Sequence, residues 1–194
     1  MRPCQANRIL VVVLILIGPS LFAQDITRYK GFDVIDKQLY WRNIYTYEGS
    51  ADSLKKAIVQ MLKIKAYTTN VVRNEAGYYG EIVHYKVDCE WYQRKYFNTP
   101  RIFWEGEWRG KFIVELKENK YRVTIYALSY ELKSIPTFKQ QSSFPVKASY
   151  SEIVLTRDRN GFRNSELNNL SLMNLSLTDE FDIRNVAVIP LEDW

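Results

Sequence analysis

Residues 39–47 read Leu-Tyr-Trp-Arg-Asn-Ile-Tyr-Thr-Tyr, aromatic and β-branched, which predicts a strand. Gly49-Ser50 ends it, and Ser50 is placed to cap a helix with Asp52 in its first turn. Leu54, Ala57, Ile58, Met61 and Leu62 then recur at helical spacing, predicting an amphipathic helix over 51–65 whose apolar stripe faces the core. Tyr67–Arg73, rich in Thr and Val, predicts a second strand, and Asn74-Glu75-Ala76-Gly77 a turn. Over Tyr78–Trp91 the alternation sets Val83, Tyr85, Val87, Cys89 and Trp91 on an apolar face. Ile82, His84, Lys86, Asp88 and Glu90 take the other. A connection over 92–103 ends near Pro100. Trp108, Phe112, Val114 and Leu116 next alternate against Arg109, Lys111, Glu115 and Lys117. After a hairpin turn at Lys117–Lys120, Tyr121, Val123, Ile125 and Ala127 alternate against Arg122, Thr124, Tyr126 and Leu128. One apolar and one polar face per strand imply an antiparallel sheet covered on one side only.

Beyond residue 130 the pattern weakens. Pro136, Pro145 and the Gln140-Gln141 and Ser142-Ser143 pairs predict a loop across 131–164, with Ile153-Val154-Leu155 as a short buried piece. Ser165 is expected to cap a second helix reaching Asp182, with Leu167, Leu170, Met173 and Leu177 on one side. The repeat of Asn-Leu-Ser-Leu from Asn169 and from Asn174 also suits strands. Val186–Ile189 forms an apolar tail. The order strand, helix, four strands, loop, helix reads as α+β, with about five strands and the helices on one face.

Arg2 and Arg8 precede an apolar run, Ile9–Ile17, that is ended by Gly18-Pro19 and followed by Ala23. Charge, short apolar core and small-residue exit form the pattern of an export signal over residues 1–23. The run has about half the length a membrane span needs. One domain is then expected, with its core in 24–132 and residues 133–194 completing it. Its 46% hydrophobic and 25% charged composition is that of a globular chain. Loss of Arg2 and Arg8 lowers the net charge from +5 to +3, too mild to indicate nucleic acid. The expected location is periplasmic or extracellular. Cys4 falls within the leader, so Cys89 would be the lone thiol of the exported chain.

The sequence contains no Cys-x-x-Cys, His-Glu-x-x-His, Gly-x-Ser-x-Gly or phosphate-binding loop, so no cofactor, metal or catalytic set is expected. His84, the single histidine, has no evident nucleophile partner, and Cys89 falls on the apolar face, which suits an inert buried thiol. Two features could carry recognition. Trp104-Glu105-Gly106-Glu107-Trp108 places two carboxylates beside two indoles, a composition suited to binding or hydrolysing a carbohydrate. The solvent face of the sheet would collect Arg42, His84, Lys86, Arg109, Lys111, Arg122, Thr124 and Tyr126, a cationic and hydroxyl-bearing surface for an anionic envelope component or a protein. The non-enzymatic binding module is the first reading and the carbohydrate-directed protein its alternative.

Trp41-Arg-Asn-Ile-Tyr45, Tyr79-Gly-Glu-Ile82, Trp108-Arg-Gly-Lys-Phe-Ile-Val114 and Lys120-Tyr-Arg-Val-Thr-Ile125 resemble a secreted bacterial family of unknown function with a TATA-binding-protein-like (TBP-like) fold. The likeness covers roughly residues 35–132, and Asn119 stands where a turn glycine is common in that family. The resemblance implies a curved antiparallel sheet with helices on one face, export and no assigned activity. It carries over no catalytic residue. Nucleic acid is not expected as a partner, since a DNA role would rest on fold-level analogy alone.

Overall fold

A computed structural model describes residues 26–132 and 146–185. The expected leader at 1–23, the prolines at 136 and 145, and the expected tail Val186–Ile189 lie outside the described residues. The elements are β1 (Arg28–Tyr29), β2 (Phe32–Ile35), β3 (Gln38–Thr46), α1 (Ala51–Ile64), β4 (Thr68–Arg73), β5 (Gly77–Tyr85), α2 (Arg101–Trp104), β6 (Glu107–Lys117), β7 (Lys120–Leu132), β8 (Val146–Ser149), α3 (Tyr150–Val154) and α4 (Leu167–Glu180). No helix among them is long and apolar enough to cross a membrane.

The fold is α+β, an open antiparallel sheet in the order β1-β2-β3-β7-β6-β5-β4. β7 is its spine. β6 pairs along one side of β7, while β3 (opposite residues 120–126) and β8 (opposite 129–132) share the other. The sheet has eight strands, more than the five or so expected. The extra ones, β1, β2 and β8, are two to four residues long, too short for an alternating pattern to register. The β2–β3 turn also lacks glycine: Asp36 and Lys37 both take positive φ, 49° and 62°, the backbone a tight hairpin demands. The 131–164 segment, expected as loop, holds β8 and α3 in its described part, and Val154 and Leu155 are buried as expected.

The predicted helix forms where the spacing placed it. The Ser50 hydroxyl accepts from Ser53 N at 3.2 Å, and Leu54, Ile58, Met61 and Leu62 are buried. Burial of each such side chain contributes roughly 1.5–3 kcal/mol. The second helix also forms, with Leu170, Met173 and Leu177 in the core. Ser165 does not cap it. The chain enters α4 through a 3-10 turn at Asn164–Glu166, and Glu166 occupies the cap position, its carboxylate accepting from the Asn169 side chain at 2.6 Å and not from the backbone of the first turn.

α4 lies on the face bearing Trp41, Tyr45, Tyr85 and Tyr121. Trp41 Nε1 donates to Asn174 Oδ1 at 3.1 Å, Tyr45 donates to the Thr178 carbonyl at 2.9 Å, and Tyr85 bonds Ser176. The aromatic cluster of Phe32, Phe103, Trp108, Tyr130 and Tyr150 extends the same core towards α2 and α3.

Two bulges correct the expected faces. His84 takes φ 55° where the β5–β6 register shifts between Ile82 and Tyr85. Ile82 is therefore buried with Tyr85, whereas simple alternation put it on the polar side. Ala127 takes φ 53° on β7, near the shift between Arg109 and Lys111 on β6. Leu128 thus turns inward and Ala127 outward, the reverse of the expected pattern. An inserted residue moves every later side chain to the opposite face. β5 also stops at Tyr85, and residues 89–93 fold into turns, so Trp91 is 74% exposed and not on the apolar face.

Candidate functional site

The face that no described helix covers is built from three rows of paired positions. The first runs Tyr40, Tyr126, Lys111, Glu81 across β3, β7, β6 and β5. The second runs Arg42, Thr124, Ile113, Tyr79 and Val72, reaching β4. The third runs Ile44, Arg122, Glu115 and Gly77. The face thus brings together Arg42, Lys111, Arg122 and Tyr126 of the expected set, with Arg109 farther along β6. His84 and Lys86 are exposed at and beyond the end of β5. Thr124 shares the face but is buried between its row neighbours.

Electrostatically the face is a ladder of ion pairs. Arg122 grips Glu115 through two bonds of 2.7 and 2.8 Å and holds that carboxyl below its usual range, partly offset by burial. Arg42 and Arg28 lie 3.9 and 3.3 Å from Asp33, and Arg109 and Lys147 lie 3.8 and 3.1 Å from Glu131. His84 Nδ1 lies 2.7 Å from Glu107 Oε2. Among the described residues Lys86 and Lys111 make no ion pair. Exposed pairs of this kind add at most about 1 kcal/mol each to stability. Their effect here is to cancel most of the positive charge that composition alone suggested.

Between the pairs lies a surface of a different kind. Tyr40 and Tyr126 stack at 6.2 Å, and the Arg42 guanidinium sits 5.5 Å from the Tyr40 ring. Tyr79, Val72 and Ile44 are 43%, 46% and 64% exposed. Of these apolar and tyrosyl positions Tyr126 belongs to the expected set; Tyr40, Ile44, Val72 and Tyr79 were missed in the sequence, although Tyr79 and Ile113 could have been found by following the polar face of each strand through its neighbours' register.

The Trp104–Trp108 segment is corrected by the structure. Trp108 is fully buried against Phe103, Tyr130 and Tyr150, so its ring offers no face to a sugar. Glu105 ends α2 and is bonded by Arg101 at 2.6 Å and Tyr96 at 2.9 Å, which hold its carboxyl below the usual range. A proton donor to a glycosidic oxygen needs the opposite shift. Glu107 instead faces His84 on the open side of β6. Cys89 is buried, and burial, then the Asp88 carboxylate, push its thiol up to about 11 against the opposing pull of Arg94. Among the described residues no three His, Cys, Asp or Glu side chains gather as a metal site would require.

No family model matches the sequence, and no curated protein does. Two solved structures are similar to the chain. One is a TBP-like protein from Parabacteroides distasonis, with 11% identity, a TM-score of 0.43, and coverage of 77% of this chain and 94% of that one. The other is a DUF4468 family protein from Bacteroides ovatus, with 12% identity, a TM-score of 0.39, and coverage of 77% and 82%. Their names coincide with the resemblance drawn from the strand motifs. A likeness of this size says nothing of what the chain binds.

Proposed function

We propose that the chain is an exported, non-enzymatic module that binds a protein partner across the open face of its sheet. The observation that carries this reading is a mixed surface of exposed Ile44, Val72 and Tyr79 beside half-buried Tyr40, Ile113 and Tyr126, threaded by ion-paired arginines. Tyrosine, arginine and exposed aliphatic groups with few uncompensated charges are the make-up of a protein interface. A polyanion would be served better by free cations than by cations already held by carboxylates. Export rests on the leader pattern of residues 1–23.

The test is capture from an envelope extract by the wild-type chain and by a Tyr79→Ser/Tyr126→Ser variant, each at low and high salt. A protein retained at both salts by the wild type and lost by the variant is expected. Retention by the variant, or capture only of polysaccharide that high salt releases, contradicts the reading.

A further inference from the structure

On the helix side of the sheet, far in character from the open face, a groove of about 510 Å³ runs between α1 and the end of the β4–β5 hairpin. Two adjacent lines of α1 form one wall: Lys55, Val59 and Lys63 in one, Lys56, Gln60 and Ile64 in the other. Each line repeats at i, i+4, i+8, so the wall extends along roughly 14 Å of helix. Arg73 and Tyr78, a paired couple on β4 and β5, form the opposite side. Val59 is half-buried, and Ile64 is 49% exposed although it ends a helix whose Leu54, Ile58, Met61 and Leu62 are buried. The rim is cationic. Lys55 leans on Asp52 at 3.3 Å, but Lys56, Lys63 and Arg73 have no carboxylate partner among the described residues. On the open face, by contrast, the arginines Arg42, Arg109 and Arg122 each have a carboxylate partner.

We propose that this groove binds the chain of a single-tailed anionic amphiphile, a long-chain fatty acid, with its carboxylate held at the Lys63–Arg73 rim. Three features select this occupant. The volume falls in the range of small-molecule sites. The walls are aliphatic groups and lysine stems, whose heads snorkel to the rim. The only uncharged hydrogen-bonding side chains are Gln60 and Tyr78, too few to satisfy the backbone of a bound peptide. An apolar body with one terminal negative charge matches such a lining, and charge-assisted bonds to lysine and arginine would fix the head.

The test is calorimetric titration of the chain, purified as its expression host processes it, with tetradecanoate below its micelle concentration. 1-Tetradecanol is the uncharged control. One saturable site is expected, with the alcohol weaker by about tenfold or more. Lys63→Glu/Arg73→Glu should weaken tetradecanoate by about tenfold or more, and Val59→Asn/Ile64→Asn should weaken acid and alcohol alike. All four positions are at least partly exposed, so a thermal melt close to wild type confirms that each variant folds. No saturable binding, equal binding of the alcohol, indifference to both variants, or association with anionic vesicles but not with monomeric acid overturns the proposal. The Tyr79→Ser/Tyr126→Ser variant should bind tetradecanoate unchanged, which separates failure of the groove from failure of the open face.

Discussion

The Tyr121 hydroxyl donates to the Phe181 carbonyl at 2.8 Å, joining the sheet's central strand to the residue that ends α4. The same oxygen accepts from Ile183 N at 3.0 Å, and the Tyr45 ring stacks on Tyr121 at 4.7 Å while its own hydroxyl takes the Thr178 carbonyl. A helix leaves its last carbonyls without intrahelical donors. Here two tyrosines of the sheet supply them, so the pairing of helix to sheet is hydrogen-bonded as well as apolar. Burial pushes both phenols above their ordinary range, so they remain protonated donors across physiological pH.

Tyr121→Phe keeps the ring but strands a buried carbonyl and a buried N–H. The expected loss is about 2–3 kcal/mol, read from urea unfolding with an unchanged m-value. A loss below about 0.5 kcal/mol would mean that water or a rearranged α4 terminus takes over both bonds.

The acid limb of stability should follow two carboxylates. Hydrogen bonds from Arg184 hold the Asp182 carboxyl below its usual range, against the opposing effect of burial, as Arg122 does for Glu115. A carboxyl whose folded pKa lies below its unfolded value contributes stability above the unfolded value, about 3.9 for Asp and 4.3 for Glu, and loses it as pH falls through the folded one. The melting temperature should therefore be flat between about pH 7 and pH 5 and fall below about pH 4. Arg184→Ala should lower the melting temperature at pH 7 and leave it almost unchanged near pH 2, because its partner is then protonated. An equal cost at both pH values would show that Arg184 acts by packing.

Much of this architecture was legible in the sequence. The 51–64 helix followed from the spacing of Leu54, Ile58, Met61 and Leu62, and β6 and β7 from clean alternation. The errors cluster where one residue adopts a left-handed conformation. His84 and Ala127 carry no mark in the sequence that distinguishes them from ordinary strand residues, yet each reverses the faces that follow. The candidate site was half legible for a related reason. Parity finds the cations, but Asp33 and Glu131 become their partners only through the registers of the β2–β3 and β6–β7 hairpins, the first too short to read and the second shifted by a bulge.

Ala127 makes the bulge testable. A left-handed conformation costs a β-branched residue more than it costs alanine. Ala127→Val should therefore destabilise by roughly 1–3 kcal/mol although residue 127 is exposed, while Ala127→Gly should be neutral or stabilising, both read by thermal melts. Equal tolerance of valine would argue for a regular strand there.

Cys89 should be chemically quiet. With its thiol at about 11 against an ordinary 9.0, its thiolate fraction near pH 8 is lower by about a hundredfold. Iodoacetamide should label the folded chain at least about a hundred times more slowly than the chain in urea. Because the folded pKa is raised, the associated stability is complete below the unfolded value and is lost as pH rises from there towards 11. Comparable labelling rates in both states would place the thiol at the surface.

The central claim concerns which side of the sheet meets a partner, and a photo-crosslinking side chain tests it most directly. Placed at Lys111, in the row with Tyr40 and Tyr126, it should form a covalent adduct with an envelope protein on illumination. Placed at Lys56, on the solvent-facing wall of α1, it should form no adduct with that protein. Adducts from position 56 with none from position 111 would contradict the account, moving the protein interface to the helical side.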